Sequence, residues 1–315
     1  FDFIFPPWKK QRDVYEACVE AQIRHVLEAQ QRRQQQHATV VAYGQTGTGK
    51  TYTMGMLSDF RDDKEQGLIP RALSQVLEFA AGEETEDDSM ETVVTLSFLQ
   101  IYLETVQDLL ALPGSSANCS AASSDLPVRQ GRDGTFYVTG LNEYEISSVE
   151  DAHALLELAM RNRVLASTAK NKTSSRSHTL LTISIKRRRR GAKSRYPSTS
   201  TISFVDLAGS ERVDGALHFL RATRARQEQR IREAKFINRS LSALGGVIAA
   251  LAQPKNGTPG QPHIRFRDSQ LTKLLQGRLM GGRGRLLLIA TVDDQPKNVS
   301  ETLSTLKFAA QCRRV

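Results

Sequence analysis

A chain of 315 residues with 39% hydrophobic and 24% charged content can bury the core of one large α/β domain. Lys and Arg number 43 against 34 Asp and Glu, and this net charge of +9 points to an acidic partner: nucleic acid, an anionic membrane or an acidic protein surface. The three cysteines, Cys18, Cys119 and Cys312, stand far apart, which excludes a disulfide framework and a Cys-based zinc site. No apolar run is long enough to span a bilayer and no secretion signal opens the chain, so a cytosolic protein is expected.

In chain order, "QQRRQQQH" (30–37) closes a helical stretch in polar residues, and "ATVVAY" (38–43) reads as a buried strand. Acidic "GEETEDDSME" (82–91) is expected to be a loop before the strand "TVVTLSFLQIY" (92–102), and "PGSSANCSAASSD" (113–125) is a low-complexity loop. In 149–164, Val149, Ala152, Leu155, Leu156, Ala159 and Met160 recur at the helical period. Strands follow at "TLLTISI" (179–185) and "TISFVD" (201–206), with "KRRRR" (186–190) at the base of a hairpin between them and open to a second reading as a nuclear localisation patch. The helix over 231–251 places Ile231, Ala234, Ile237, Leu241, Leu244, Ile248 and Leu251 on one side, "QPKNGTPGQP" (253–262) breaks it, and "LLLIATV" (286–292) is the last strand. Strands alternating with helices predict an α/β fold of the P-loop type: a central, mostly parallel or mixed sheet with helices on both faces.

Gly44, Gln45, Thr46, Gly47, Thr48, Gly49, Lys50 and Thr51 satisfy the GxxxxGK[ST] pattern, with a strand before and a helix expected after. Such a loop closes backbone N–H groups around phosphate oxygens, while Lys50 reaches the terminal phosphates and the Thr51 hydroxyl offers itself to Mg²⁺. Asp206, at the end of an apolar strand, stands where a P-loop protein needs a second carboxylate for the metal. Gly209 just beyond it can bend the backbone toward a γ-phosphate.

The ordered strings "AYGQTGTGKTYTM", "IYLETVQDLL", "NKTSSRSH", "DLAGSER", "INRSLSALG", "HIRFRDSQLTKLLQ" and "ETLSTLKFA" make the chain resemble the kinesin motor domain from about Phe3 to Phe308. No NKxD base-reading motif of the GTPases follows. The resemblance implies ATP and ADP as nucleotides with Mg²⁺, and a microtubule-stimulated ATPase. It implies Tyr52 near the adenine, Asn171 to His178 as switch I with Ser174 and Ser175 near the metal and attacking water, and Asp206 to Glu211 as switch II. Thr51, Ser175 and Asp206 would serve the metal, Gly209 would sense the γ-phosphate, and Arg176 and Glu211 would form the latch between the switches. An Arg–carboxylate pair made only on closure would exclude bulk water and align a water for in-line attack. Arg163 is a weaker candidate for the site, with an exposed position on a solvated face as its alternative.

Residues 186–239 hold fifteen Lys and Arg against five Asp and Glu, an excess of ten. Within this stretch Arg232, Lys235 and Arg239 fall on one outward side of their helix. By resemblance this stripe, with Arg265, Arg267, Lys273 and Arg132, lies on the acidic surface of tubulin in microtubules; nucleic acid is the rival partner, without aromatic interleaving to support it. Against the family pattern, an Arg-x-Arg-Pro strand is expected before "FDFIF" and a neck linker after "LKFAAQCRRV", so residues 1–315 are expected to be a motor domain without either. "VDGALHFLRATRARQEQRI", between switch II and the basic helix, is longer than the family's loop. That difference motivates the rival function of a slow-turnover microtubule tether. The strings look nearest to armadillo-repeat-type kinesins. Association with the cytoskeleton, a cilium or a spindle, and homodimerisation through segments outside this chain, complete the expectations.

Overall fold

In a computed structural model, residues 1–56, 62, 64–86, 90–112, 125–168, 174–189, 198–211, 224–253, 264–280 and 284–314 are described. The elements in order are α1 (Gln11–Val14), which runs through a π-helical turn into α2 (Glu20–Gln31), then β1 (His37–Gly44), α3 (Lys50–Met54), α4 (Leu68–Glu86), β2 (Met90–Tyr102), β3 (Thr105–Asp108), β4 (Val128–Gln130), β5 (Phe136–Val138), β6 (Tyr144–Ile146) and α5 (Val149–Thr168). The second half holds β7 (His178–Arg189), β8 (Ser198–Asp206), α6 (Arg224–Leu251), α7 (Gln270–Met280), β9 (Gly284–Thr291) and α8 (Val299–Cys312).

Strand alternation divides the core into two layers. Val40 and Ala42 of β1, with Ile202 and Phe204 of β8, enter one cluster with Ile23 and Val26 of α2, Leu73 and Val76 of α4, and Leu156 of α5. Their neighbours Val41, Tyr43 and Val205 point the other way, against Leu241, Leu244 and Ile248 of α6, Leu271 and Leu274 of α7, and Phe308 of α8. A period of two along each strand thus covers both faces of the sheet with helices. The strand order is β3-β2-β7-β8-β1-β9, with β6 also on β2. Only β1 with β8 and β1 with β9 run parallel; the other pairings in this sheet are antiparallel, so the sheet is mixed rather than mostly parallel.

All five strands expected from β-branched runs are present. β7 carries on through Lys186–Arg189, paired to β2 and β8, so most of "KRRRR" is strand rather than loop base. Within the acidic stretch at 82–91, residues 82–86 close α4 and 90–91 open β2. Cys119, Arg190, the interior of the 113–125 loop, nearly all of the 253–262 breaker and residues 213–223 of the lengthened loop lie outside the described residues. The second half of that loop is the first turns of α6.

Candidate functional site

Register places the site. Parallel pairing sets Ala42 beside Asp206 and Gly44 beside Thr291, so the P-loop emerges between the ends of β8 and β9. Gly44 and Gly49 have φ of 154° and 101°, which favour glycine, and a Cβ on Gly44 would overlap the Thr291 carbonyl oxygen. The Thr48 hydroxyl lies 2.6 Å from that of Thr291, and Gln45 donates from Nε2 to Asn298 Oδ1 at 3.2 Å.

Lys50 is buried, and its ammonium donates to the Gly44 and Gln45 carbonyl oxygens, each at 2.8 Å. Burial lowers its pKa, opposed by the charges of Asp206 and Glu211. The Thr51 hydroxyl donates to Asp206 Oδ2 at 2.7 Å. Asp206 is 2% exposed, and burial pushes its carboxyl up against the opposing pull of Arg163 and Thr51. Its second oxygen, Oδ1, is buried without a hydrogen-bond partner among the described residues. Tyr52 keeps its ring 44% exposed, its hydroxyl donates to Glu65 at 3.1 Å, and its carbonyl accepts from Gln11.

Arg163 is not on a solvated face. It is buried at 6% exposure with Nη2 3.6 Å from Asp206 Oδ2, because it continues the buried spacing of Leu156 and Ala159 on α5. The segments expected to be the two switches meet through their backbones, Gly209 N donating to the Ser175 carbonyl at 2.9 Å, while Ser210 N donates to the Gly44 carbonyl at 3.1 Å. Glu211 accepts from Thr46 N at 2.8 Å and also from the Thr46 hydroxyl. The expected latch is therefore not made: Arg176 pairs with Glu233 of α6 instead, and Glu233, 1% exposed, also accepts from the Tyr102 hydroxyl at 2.7 Å. Residues 171–173 and the Ser174 side chain lie outside the described residues.

His178, which the sequence reading left without a role, joins three parts of the site. It is buried, its Nδ1 accepts from Ala208 N at 3.0 Å, and its Nε2 therefore carries the proton toward Ser240 Oγ of α6 at 2.8 Å. Burial drops its pKa to about 4, so the ring is neutral.

On the other flank, Arg232, Lys235 and Arg239 of α6 are all exposed, as are Arg265, Arg267 and Arg132, whereas Lys273 is half-buried. Arg267 ties the β4–β5 hairpin to this face by donating to Gln130 at 2.8 Å, and a groove of about 620 Å³ opens between α6 and the turn holding Arg265 and Asp268. Ile231 is 42% exposed rather than in the core, because it lies one helical turn before Lys235 on the outward side.

A glycine-rich cradle at the end of a strand, with a lysine inside it and a carboxylate on the adjacent strand, defines a P-loop nucleotide-binding α/β fold. The kinesin motor domain family profile matches residues 1–315, and the chain belongs to that family. It is 36% identical to kinesin-like protein kif7 of Danio rerio over 100% of this chain and 21% of the relative. It is 37% identical to kinesin-related protein 5 of Dictyostelium discoideum over 100% and 29%. Carboxy-terminal kinesin 2 of Xenopus laevis is 36% identical over 99% and 44%, so the chain spans less than half of each of these relatives. The solved structure of a fast kinesin superposes with a TM-score of 0.80 at 33% identity, covering 99% of this chain and 78% of that one. The motor and motor homology domain structure of Kar3Vik1 gives 0.76 at 31%, covering 99% and 71%. Among the described residues, no helix is long and apolar enough to cross a membrane.

Proposed function

We propose that this domain hydrolyses Mg·ATP and that microtubules stimulate the reaction, with the energy coupled to force or movement along the filament. The observation that carries this reading is one continuous arrangement: the phosphate cradle, the Asp206 carboxylate, both switch segments and the helix bearing the basic stripe are joined by named hydrogen bonds.

Lys50 occupies the cradle by donating to two carbonyl oxygens, and phosphate oxygens replace those acceptors when ATP binds. The Thr51 hydroxyl and Asp206 Oδ1, which has no hydrogen-bond partner among the described residues, would hold Mg²⁺ together with water and phosphate oxygens, with Ser175 as the third expected ligand. Bound Mg²⁺ would neutralise charge on the β- and γ-phosphates. Gly209, whose N–H here donates to the Ser175 carbonyl, would turn that N–H to the γ-phosphate on closure, and Glu211, acting through an intervening water, would accept the proton of the attacking water. The exposed stripe on α6 with Arg132, Arg265 and Arg267 meets the acidic filament surface, in a contact that weakens as salt rises.

Phosphate release measured with and without polymerised tubulin tests the proposal. Stimulation of tenfold or more is expected, on the order of 1.4 kcal/mol of barrier per tenfold. Slow release unchanged by filaments would favour the tether, the reading that the lengthened 213–231 segment supports. Competition by DNA but not by tubulin would move the basic face to nucleic acid.

A further inference from the structure

The Ser175–Gly209 backbone hydrogen bond sets Arg176 and Glu211 on adjoining segments, yet each has another partner: Glu211 is taken by Thr46, and Arg176 by Glu233. Arg176 gives its guanidinium to Glu233 of α6, while the Glu211 carboxylate is held by Thr46. We propose that Glu233 is a positioning residue that holds Arg176 away from Glu211, so that the filament-binding helix itself restrains closure of the nucleotide site. This rests on the ATPase reading above.

Three features of the contact support it. Glu233 is 1% exposed, so the departure of Arg176 leaves a buried carboxylate short of its cation, and closure is opposed by that loss. The Tyr102 hydroxyl, fixed at the end of β2, holds the other carboxylate oxygen at 2.7 Å and keeps Glu233 facing switch I rather than following Arg176. Finally, Glu233 sits between Arg232 and Lys235 of the exposed stripe, so a filament that shifts this turn of α6 shifts the carboxylate with it. Filament contact then loosens Arg176 and ATP-dependent closure captures it, and by linkage each event favours the other.

The test compares affinity for the non-hydrolysable imido analogue of ATP with affinity for ADP, by equilibrium titration without filaments. Glu233→Gln keeps an acceptor for Tyr102 and removes the charge, and Glu233→Met removes the buried polar group altogether, so a folded variant is available even if one fails. Each is expected to raise the preference for the ATP analogue about fivefold or more over wild type, while Glu233→Asp, which keeps the carboxylate, stays nearer to it. A purely structural role would weaken both nucleotides alike. An unchanged or reduced preference in folded Glu233→Gln or Glu233→Met would overturn the proposal. Wild-type protein that binds both nucleotides without hydrolysing ATP would sink the ATPase reading and leave this ratio readable.

Discussion

Acidification should loosen the site through His178 before it disturbs the rest of the core. Folding takes the imidazole from its ordinary value of 6.5 down to about 4, because burial disfavours the charged ring. Between those two pH values the unfolded chain binds a proton that the native protein refuses, so native stability is complete above 6.5 and falls as pH drops toward 4. The gap corresponds to about 3 kcal/mol, a large share of a domain's net stability. Replacing His178 with Asn keeps an acceptor for Ala208 N and removes the titration. Urea unfolding at about pH 7.5 and about pH 4.5 should show the wild type losing about 2–3 kcal/mol more than His178→Asn over that interval. Equal losses in the two proteins would refute a neutral, buried histidine between Ala208 and Ser240.

A Cβ at Gly209 would overlap the Thr46 hydroxyl and the Glu211 carboxylate, so Gly209→Ala should displace Glu211 and lower ATP turnover by about 100-fold or more, from two hydrogen bonds to a charged group at about 1.5–3 kcal/mol each, with little change in melting temperature. A turnover assay beside a thermal melt reads both. Lys50→Ala removes the ammonium from the cradle and should weaken ATP and ADP binding by about 100-fold, measured by calorimetry. Reversing Lys235 and Arg239 together to Glu should abolish co-sedimentation with microtubules at physiological salt while filament-free phosphate release stays within about twofold. Undiminished sedimentation would place the filament contact on another face.

How much could be read from residues alone follows from which signals are local. The long strands were legible because β-branched runs of five or more residues bury both faces, and the P-loop because glycines at fixed spacing leave few alternatives. The three-residue strands β4, β5 and β6 are too short to show a period; β4 and β5 pair only with each other in a short hairpin, and β6 pairs with β2, a neighbour distant in sequence. Arg163 and Glu233 were more accessible than they looked. Arg163 follows Ala159 by four residues, and Glu233 precedes Ile237 by four and Leu244 by eleven, so each lies on the apolar side of its helix. A charge at such a position announces a buried partner. The partner's identity was not legible: Asp206 and Glu233 find their arginines across the tertiary fold, and a motif that places Arg176 and Glu211 in order along the chain does not say which carboxylate is within reach.

The attachment of α8 has a mechanical meaning. Its Phe308 stacks on Tyr43 of β1 with ring centroids 4.2 Å apart, while Asn298 at its head accepts from Gln45 of the cradle. A rod bolted at two points to one plank cannot swivel independently of it. A tilt of β1 is therefore expected to carry this helix with it.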